Sequence, residues 1–257
     1  MQWTLKNLGC VDSNLLEWLK VERDSSVSFK TIEEQNREML TDRLVGDVAV
    51  RLERAIAKRG RATLALSGGA TPGPFMTQLG KVDLDWKNIF VTLSDERWVP
   101  ANHPRSNHRL VNETLFSGRA KAATFVPLYQ EGMDRHHAVV PLSERLTRDV
   151  LPLDVCVLGM GEDLHTASLF PGVEGLARAL DPSCPTPLMT LMPATINEPR
   201  MTMTASALLN AHQIHLLIAG ERKEVALIKA CKTSDILTAP IKAILDGPAP
   251  VTVWYAP

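Results

Sequence analysis

Two hydrophobic periods alternate along this chain. Over residues 33–59, Met39, Leu40, Leu44, Val48, Leu52, Ala55 and Ile56 recur mostly three or four positions apart among polar residues. That spacing places them on one stripe of an amphipathic helix. Gly60 follows, a residue suited to the left-handed conformation that closes helices. The second pattern is short and nearly continuous: Ala62-Thr63-Leu64-Ala65-Leu66, Ile89-Phe90-Val91-Thr92-Leu93, Leu153-Asp154-Val155-Cys156-Val157-Leu158, Ile214-His215-Leu216-Leu217-Ile218-Ala219 and Val251-Thr252-Val253-Trp254-Tyr255. These runs predict strands buried on both faces. Further helices are expected from about Pro74 and from about Lys223. Strands alternating with helices predict an α/β fold, a three-layer α/β/α Rossmann-like arrangement around a mostly parallel sheet. No repeat or low-complexity linker divides the chain, so residues 1–257 read as a single α/β domain.

Polar motifs stand directly after the predicted strands. In open α/β sheets ligands bind at the carboxyl ends of strands, so these motifs should gather along one edge. The first is Ser67-Gly68-Gly69-Ala70-Thr71-Pro72. Its glycines let backbone N–H groups approach an anion, the helix that follows favours negative charge, and Ser67 and Thr71 add hydroxyls. It lacks the Gly-Lys-Ser/Thr ending of a P-loop and the spacing of a dinucleotide fingerprint. Alone, it reads equally well as a tight strand-to-helix turn.

The second motif is Ser94-Asp95-Glu96-Arg97-Trp98-Val99-Pro100, followed by Ser106-Asn107. The adjacent acids Asp95 and Glu96, with Arg97, could orient a sugar or polarise a carbonyl; a solvated turn with a local ion pair is the plainer reading. The third runs from Gly159 to Pro171, where Asp163 and His165 flank one residue beside a glycine turn. Histidine moves protons near neutral pH, and a neighbouring acid raises the odds of a catalytic role. The fourth joins Arg200-Met201-Thr202-Met203-Thr204 to Gly220-Glu221-Arg222-Lys223, where Arg200 and Lys223 suit a phosphate. Surface charge at helix ends is its plainer reading.

Composition narrows the classes. With 257 residues, 45% of them hydrophobic, the chain can bury a full core. A net charge of -1 gives no bulk attraction to nucleic acid or an anionic membrane, so any anionic ligand must be met by local charges. The four cysteines are far apart with no CxxC pair, which suggests neither a zinc ribbon nor a disulfide framework; Cys156 reads as a small core residue. His136-His137 and His212 with His215 lack metal-ligand spacing, and HExxH and GxSxG are missing. The first twenty residues carry Lys6, Asp12, Glu17 and Lys20 and no apolar signal core, so a cytoplasmic protein is expected.

Taken together and in order, Leu66 to Pro72, Ser94 to Pro100 with Ser106-Asn107, Gly159 to Pro171, and Arg200 to Thr204 resemble the 6-phosphogluconolactonase family, which is grouped with glucosamine-6-phosphate deaminase. The resemblance spans about residues 33–257 and leaves 1–32 as a variable N-terminal segment. It implies hydrolysis of 6-phospho-D-glucono-1,5-lactone to 6-phospho-D-gluconate, in the oxidative pentose phosphate pathway. It also implies a Rossmann-like fold without a nucleotide cofactor. No metal is expected, and a small sugar-phosphate lactone is the expected partner of a monomer or homodimer. By position His165 matches the family's catalytic histidine and Arg97 an active-site arginine. Ser67, Gly68, Gly69 and Thr71, with Arg200 and Lys223, match the phosphate-binding region. Asp163 or Asp95 would hold the imidazole or favour its charged form.

The deaminase pattern continues after its histidine as Ile-Ala-Phe-Asn-Glu. Here Phe170 stands in the place of that glutamate. Both families usually carry glycine between the aspartate and the histidine, where this chain has Leu164. A leucine with positive φ costs about 1–2 kcal/mol, or else the loop shifts. A sugar-phosphate-binding protein of the same fold without turnover is therefore the second reading, and a deaminase the third.

Overall fold

The computed structural model describes residues 29–193 and 198–257. Its centre is a seven-stranded sheet whose strands are β1 (Lys30–Glu33), β2 (Ala62–Leu66), β3 (Ile89–Leu93), β5 (Thr124–Phe125), β6 (Val155–Leu158), β9 (Ile214–Ala219) and β10 (Val251–Ala256). They lie in the order β1-β10-β9-β6-β2-β3-β5, and every neighbouring pair is parallel. The mostly parallel α/β architecture is thus as the hydrophobic runs predict. The five runs coincide with β2, β3, β6, β9 and β10, within two residues at their ends. The sheet is widened by β1, at the end of the N-terminal segment, and by the two-residue β5, both at its edges.

The long helix α1 is Arg37–Arg59. Asn36 caps it by accepting from Met39 N–H, and Gly60 at φ 75° ends it by donating to Ile56 O. Leu40, Leu44, Val48, Leu52 and Ala55 bury one stripe against the sheet, each of the four larger side chains contributing roughly 1.5–3 kcal/mol. Met39 lies one position off that stripe and is exposed. The helix after β2 is α2 (Pro72–Leu79), with proline at its first position, where a missing N–H costs nothing. Helix α3 is Asn107–Glu113, α4 Arg135–Asp149, α5 Leu176–Leu180, α6 Ala205–Leu208, α7 Glu221–Lys232 and α8 Ile241–Leu245. Cys156 is fully buried, and burial pushes its thiol up to about 12.

Two sequence readings are corrected. Asp95–Arg97 is a short strand, β4, where a polar turn is expected, and Arg200–Met203 is a buried strand, β8, where surface charge at a helix end was the plainer reading. Together with β7 (Leu188–Leu191) they form an antiparallel sheet of three, in the order β4-β8-β7. This arm is fastened to the main sheet at Ser94, whose N–H donates to Leu66 O and whose O accepts from Met203 N–H, both at 2.8 Å.

Strand order places the site. From β2 the chain proceeds outward to β3; from β6 it proceeds to β9 on the other side. The carboxyl ends of β2 and β6 therefore flank a topological switch point, where a crevice opens.

Candidate active site

The loop after β2 forms one wall of that crevice. Ser67 continues the sheet ladder by donating to Val157 O at 3.0 Å. Its hydroxyl is buried and has no partner among the described residues. Gly69 takes φ 105°, turning the backbone toward α2. Gly68 is packed so closely that a Cβ there would overlap the Asn107 side-chain amide. Thr71 precedes α2 without using its hydroxyl as a cap.

The β4–β8 arm supplies charge. Arg97 and Arg200 are direct partners across the strand pair. Arg97 is half-buried and donates to Arg105 O; Arg200 is 2% exposed and is paired with Glu198, which also holds Arg105 at 3.0 Å. Glu96 is buried and accepts from Arg97 N–H at 2.7 Å, Asn107 and His108 N–H at 2.8 Å, and the Ser106 hydroxyl at 3.0 Å. It thereby ties β4 to the first turn of α3. Asn107 Nδ2 in turn donates to Asp95 O at 2.8 Å.

The loop after β6 carries the histidine. His165 Nδ1 and Asp163 Oδ1 are 2.5 Å apart, and Phe170 packs on the imidazole with ring centroids 4.2 Å apart. Burial pushes the Asp163 carboxyl up, but the hydrogen bond and charge of His165 outweigh it, so Asp163 lies below its ordinary value. A Cβ on Gly161 would overlap both Asp163 Oδ1 and His165 Nδ1. The paired side chains thus fit only over a glycine. Leu164 takes φ 70° and still buries its side chain, with 3% exposed. Lys223, in the first turn of α7, donates from Nζ to Met160 O at 2.7 Å and joins this loop from the β9 side.

The crevice is a cleft of about 270 Å³. It is lined by Ser67, Gly68, Gly69, Thr71, Asp95, Arg97, His165, Arg200 and Lys223, among others. Of the residues named from sequence only Asp163 stands outside the lining, behind the ring it holds. Two acids were open as partners of His165: Asp163 touches the ring, while Asp95 accepts from the Ser168 hydroxyl at 2.6 Å. Gly161, Ser168 and Asn107 lie inside quoted motifs without an assigned part, and Glu96, read only as one of two acids that could orient a sugar or polarise a carbonyl, instead holds the first turn of α3. Their contacts span 10 to 73 residues or depend on close packing, and no spacing rule reports such pairs. No group of three or more His, Cys, Asp or Glu is arranged for a metal among the described residues. His215 is fully buried against Trp254 and Asp47 and is not among the residues that line the cleft.

Comparison with known proteins places this geometry. The model of the family described as glucosamine-6-phosphate isomerases/6-phosphogluconolactonase matches residues 35–254. The 6-phosphogluconolactonase of Rhizobium meliloti (strain 1021) is 44% identical over 224 residues, covering 87% of this chain and 97% of that protein. The 6-phosphogluconolactonase of Pseudomonas putida is 39% identical, covering 90% of this chain and 94% of that protein. The crystal structure of a 6-phosphogluconolactonase from Shewanella baltica OS155 has a TM-score of 0.86 at 34% identity, over 89% of this chain and 98% of that one. A monomeric glucosamine-6-phosphate deaminase shares the fold, with a TM-score of 0.71 at 21% identity over 89% of this chain and 97% of that one.

Proposed function

This chain belongs to the family of glucosamine-6-phosphate isomerases and 6-phosphogluconolactonases, and from that premise we propose that it hydrolyses 6-phospho-D-glucono-1,5-lactone to 6-phospho-D-gluconate. The observation that carries the reading is the Asp163–His165 pair, held over Gly161 at the mouth of a cleft that also receives Arg97, Arg200 and Lys223. Phe170, packed on the imidazole, fills with an apolar ring the position where the deaminase pattern has a carboxylate. That contact favours the lactonase over its relative.

A lactone is an activated ester, so no covalent nucleophile is required. Asp163 engages Nδ1 and leaves Nε2 for the reaction. His165 Nε2 takes a proton from water as the water oxygen bonds to C1. The ionised Asp163 stabilises the imidazolium. The same proton then passes to the ring oxygen as its bond to C1 breaks, and the acid released ionises in water. Arg97 faces the oxyanion that develops on the C1 carbonyl. The N–H groups of Gly68 and Gly69, the hydroxyls of Ser67 and Thr71, and the cations Arg200 and Lys223 hold the phosphate, whose binding energy positions C1. With the reaction come a place in the oxidative pentose phosphate pathway and a cytoplasmic setting.

Acid release from freshly generated lactone, followed with a pH indicator, tests this. Wild type should exceed the spontaneous rate, and His165→Ala should lose about 100-fold or more of it, the usual worth of a general acid–base group. No acceleration by wild type would leave the binding protein without turnover. Ammonia release from glucosamine 6-phosphate would restore the deaminase.

A further inference from the structure

Two non-glycine residues among those described have positive φ, Leu164 at 70° and Ala167 at 48°. They bracket His165 and Thr166. Backbone held in this region persists only where its surroundings over-determine it. The first half of the turn is fastened by its own neighbourhood. Leu164 N–H donates to Gly161 O at 3.1 Å, Leu164 O accepts from Ile241 N–H at 3.1 Å, and the Thr166 hydroxyl donates to Gly159 O at 2.9 Å.

The second half is closed by Leu169 N–H, which donates to Thr166 O at 3.0 Å, and is tied to the neighbouring strands by Ser168. This residue is fully buried and lies outside the cleft lining. Its hydroxyl donates to Asp95 Oδ2 at 2.6 Å, and its N–H donates to Thr202 Oγ1 at 3.2 Å. Asp95 belongs to β4 and Thr202 to β8, the strands that carry Arg97 and Arg200. Among the described residues the other Asp95 oxygen has only a long contact from the Ser94 hydroxyl, at 3.3 Å. A buried hydroxyl on a carboxylate is a short, charge-assisted bond, stronger than one between neutral groups.

We propose that Ser168 is a positioning residue for the hydrolysis: by holding Asp95 it anchors the strained turn and sets the His165 ring against Arg97. Asp95 then acts on His165 through Ser168, alongside any contact it makes with substrate. The proposal rests on the lactonase reading of this site.

The test is Ser168→Ala in the full chain, with kinetics and with the imidazole nitrogen NMR shifts of His165 in ligand-free protein. kcat should fall about ten- to a hundredfold, as expected for a displaced catalytic group, with KM within about twofold. The ring shifts should leave the pattern of a protonated Nδ1 held by Asp163. Wild-type kcat with wild-type ring shifts would overturn the proposal. If Ser168→Ala does not fold, Asp95 gives the same test. Asp95→Asn keeps an acceptor for the hydroxyl and should retain the wild-type ring shifts, whereas Asp95→Ala should change them; unchanged shifts in Asp95→Ala overturn the proposal. The ring shifts need no turnover. Failure of the lactonase reading, shown by inactive wild type, is therefore distinct from failure here.

Discussion

Leu164 combines a left-handed backbone with a buried side chain, and the two effects oppose each other. Positive φ costs a leucine about 1–2 kcal/mol, while removing a buried leucine side chain costs about 2–5 kcal/mol. Burial wins. Leu164→Gly should therefore lower stability by about 1–3 kcal/mol in urea unfolding, with turnover within about threefold of wild type. A gain of activity from this change would mean that the leucine displaces His165. Gly161 works the other way: it has no side chain because the Asp163–His165 pair occupies that space. Gly161→Ala should push the pair apart and cut kcat by about 100-fold, a loss typical of an ångström-scale misplacement, with a change in melting temperature too small to account for it.

At the scale of elements, the β4–α3 corner depends on one carboxylate. Glu96 accepts two of the N–H groups that open α3, besides the Ser106 hydroxyl and its neighbour's N–H. Negative charge at a helix N-terminus is favourable, and donors left buried without it are costly. Glu96→Ala should cost about 2–3 kcal/mol in urea unfolding. It should also raise KM, because Asn107 and Arg97 lose their common anchor. Elements of this kind are the least legible in sequence. β2, β3, β9 and α1 declare themselves because each buries a continuous run or a helical stripe of its own. β4 and β8 are strands of three and four residues whose polar members, Asp95, Glu96, Arg97 and Arg200, are satisfied by partners elsewhere in the chain. Local hydrophobicity has no means of recording that satisfaction.

The whole molecule carries a second network, made of residues outside the cleft lining. Trp254 on β10 donates from Nε1 to His215 Nδ1 at 2.9 Å, and His215 Nε2 lies 3.2 Å from Asp47 on α1, which also binds Arg51. Burial lowers the pKa of His215 against the opposing pull of Asp47; the His215 contact in turn holds Asp47 well below the usual carboxylate range. The signs agree. Below its ordinary value of 6.5 the unfolded histidine binds a proton that the folded one resists, so stability falls as pH drops. Asp47 adds stability above its ordinary value of 3.8 that is lost on further acidification. Urea midpoints should therefore decline from pH 7 to 5, and His215→Gln should flatten that decline.

Taken by itself, the amino-acid order determined the parallel sheet, its major strands and helix, and a set of polar motifs placed after strands, because burial periodicity and turn chemistry act over a few residues. It also presented Asp163 and Asp95 as equal candidates to hold His165, and Arg200 as either a phosphate ligand or a surface charge. Only the tertiary structure decided which acid touches the ring and that Arg200 is not a surface charge. Asp163 reaches the ring because Gly161 leaves room, Asp95 is taken by Ser168, and Arg200 is buried beside Arg97 on an arm absent from the hydrophobic pattern. Such choices depend on which groups meet across tens of residues of chain, and that is settled by packing rather than by local preference.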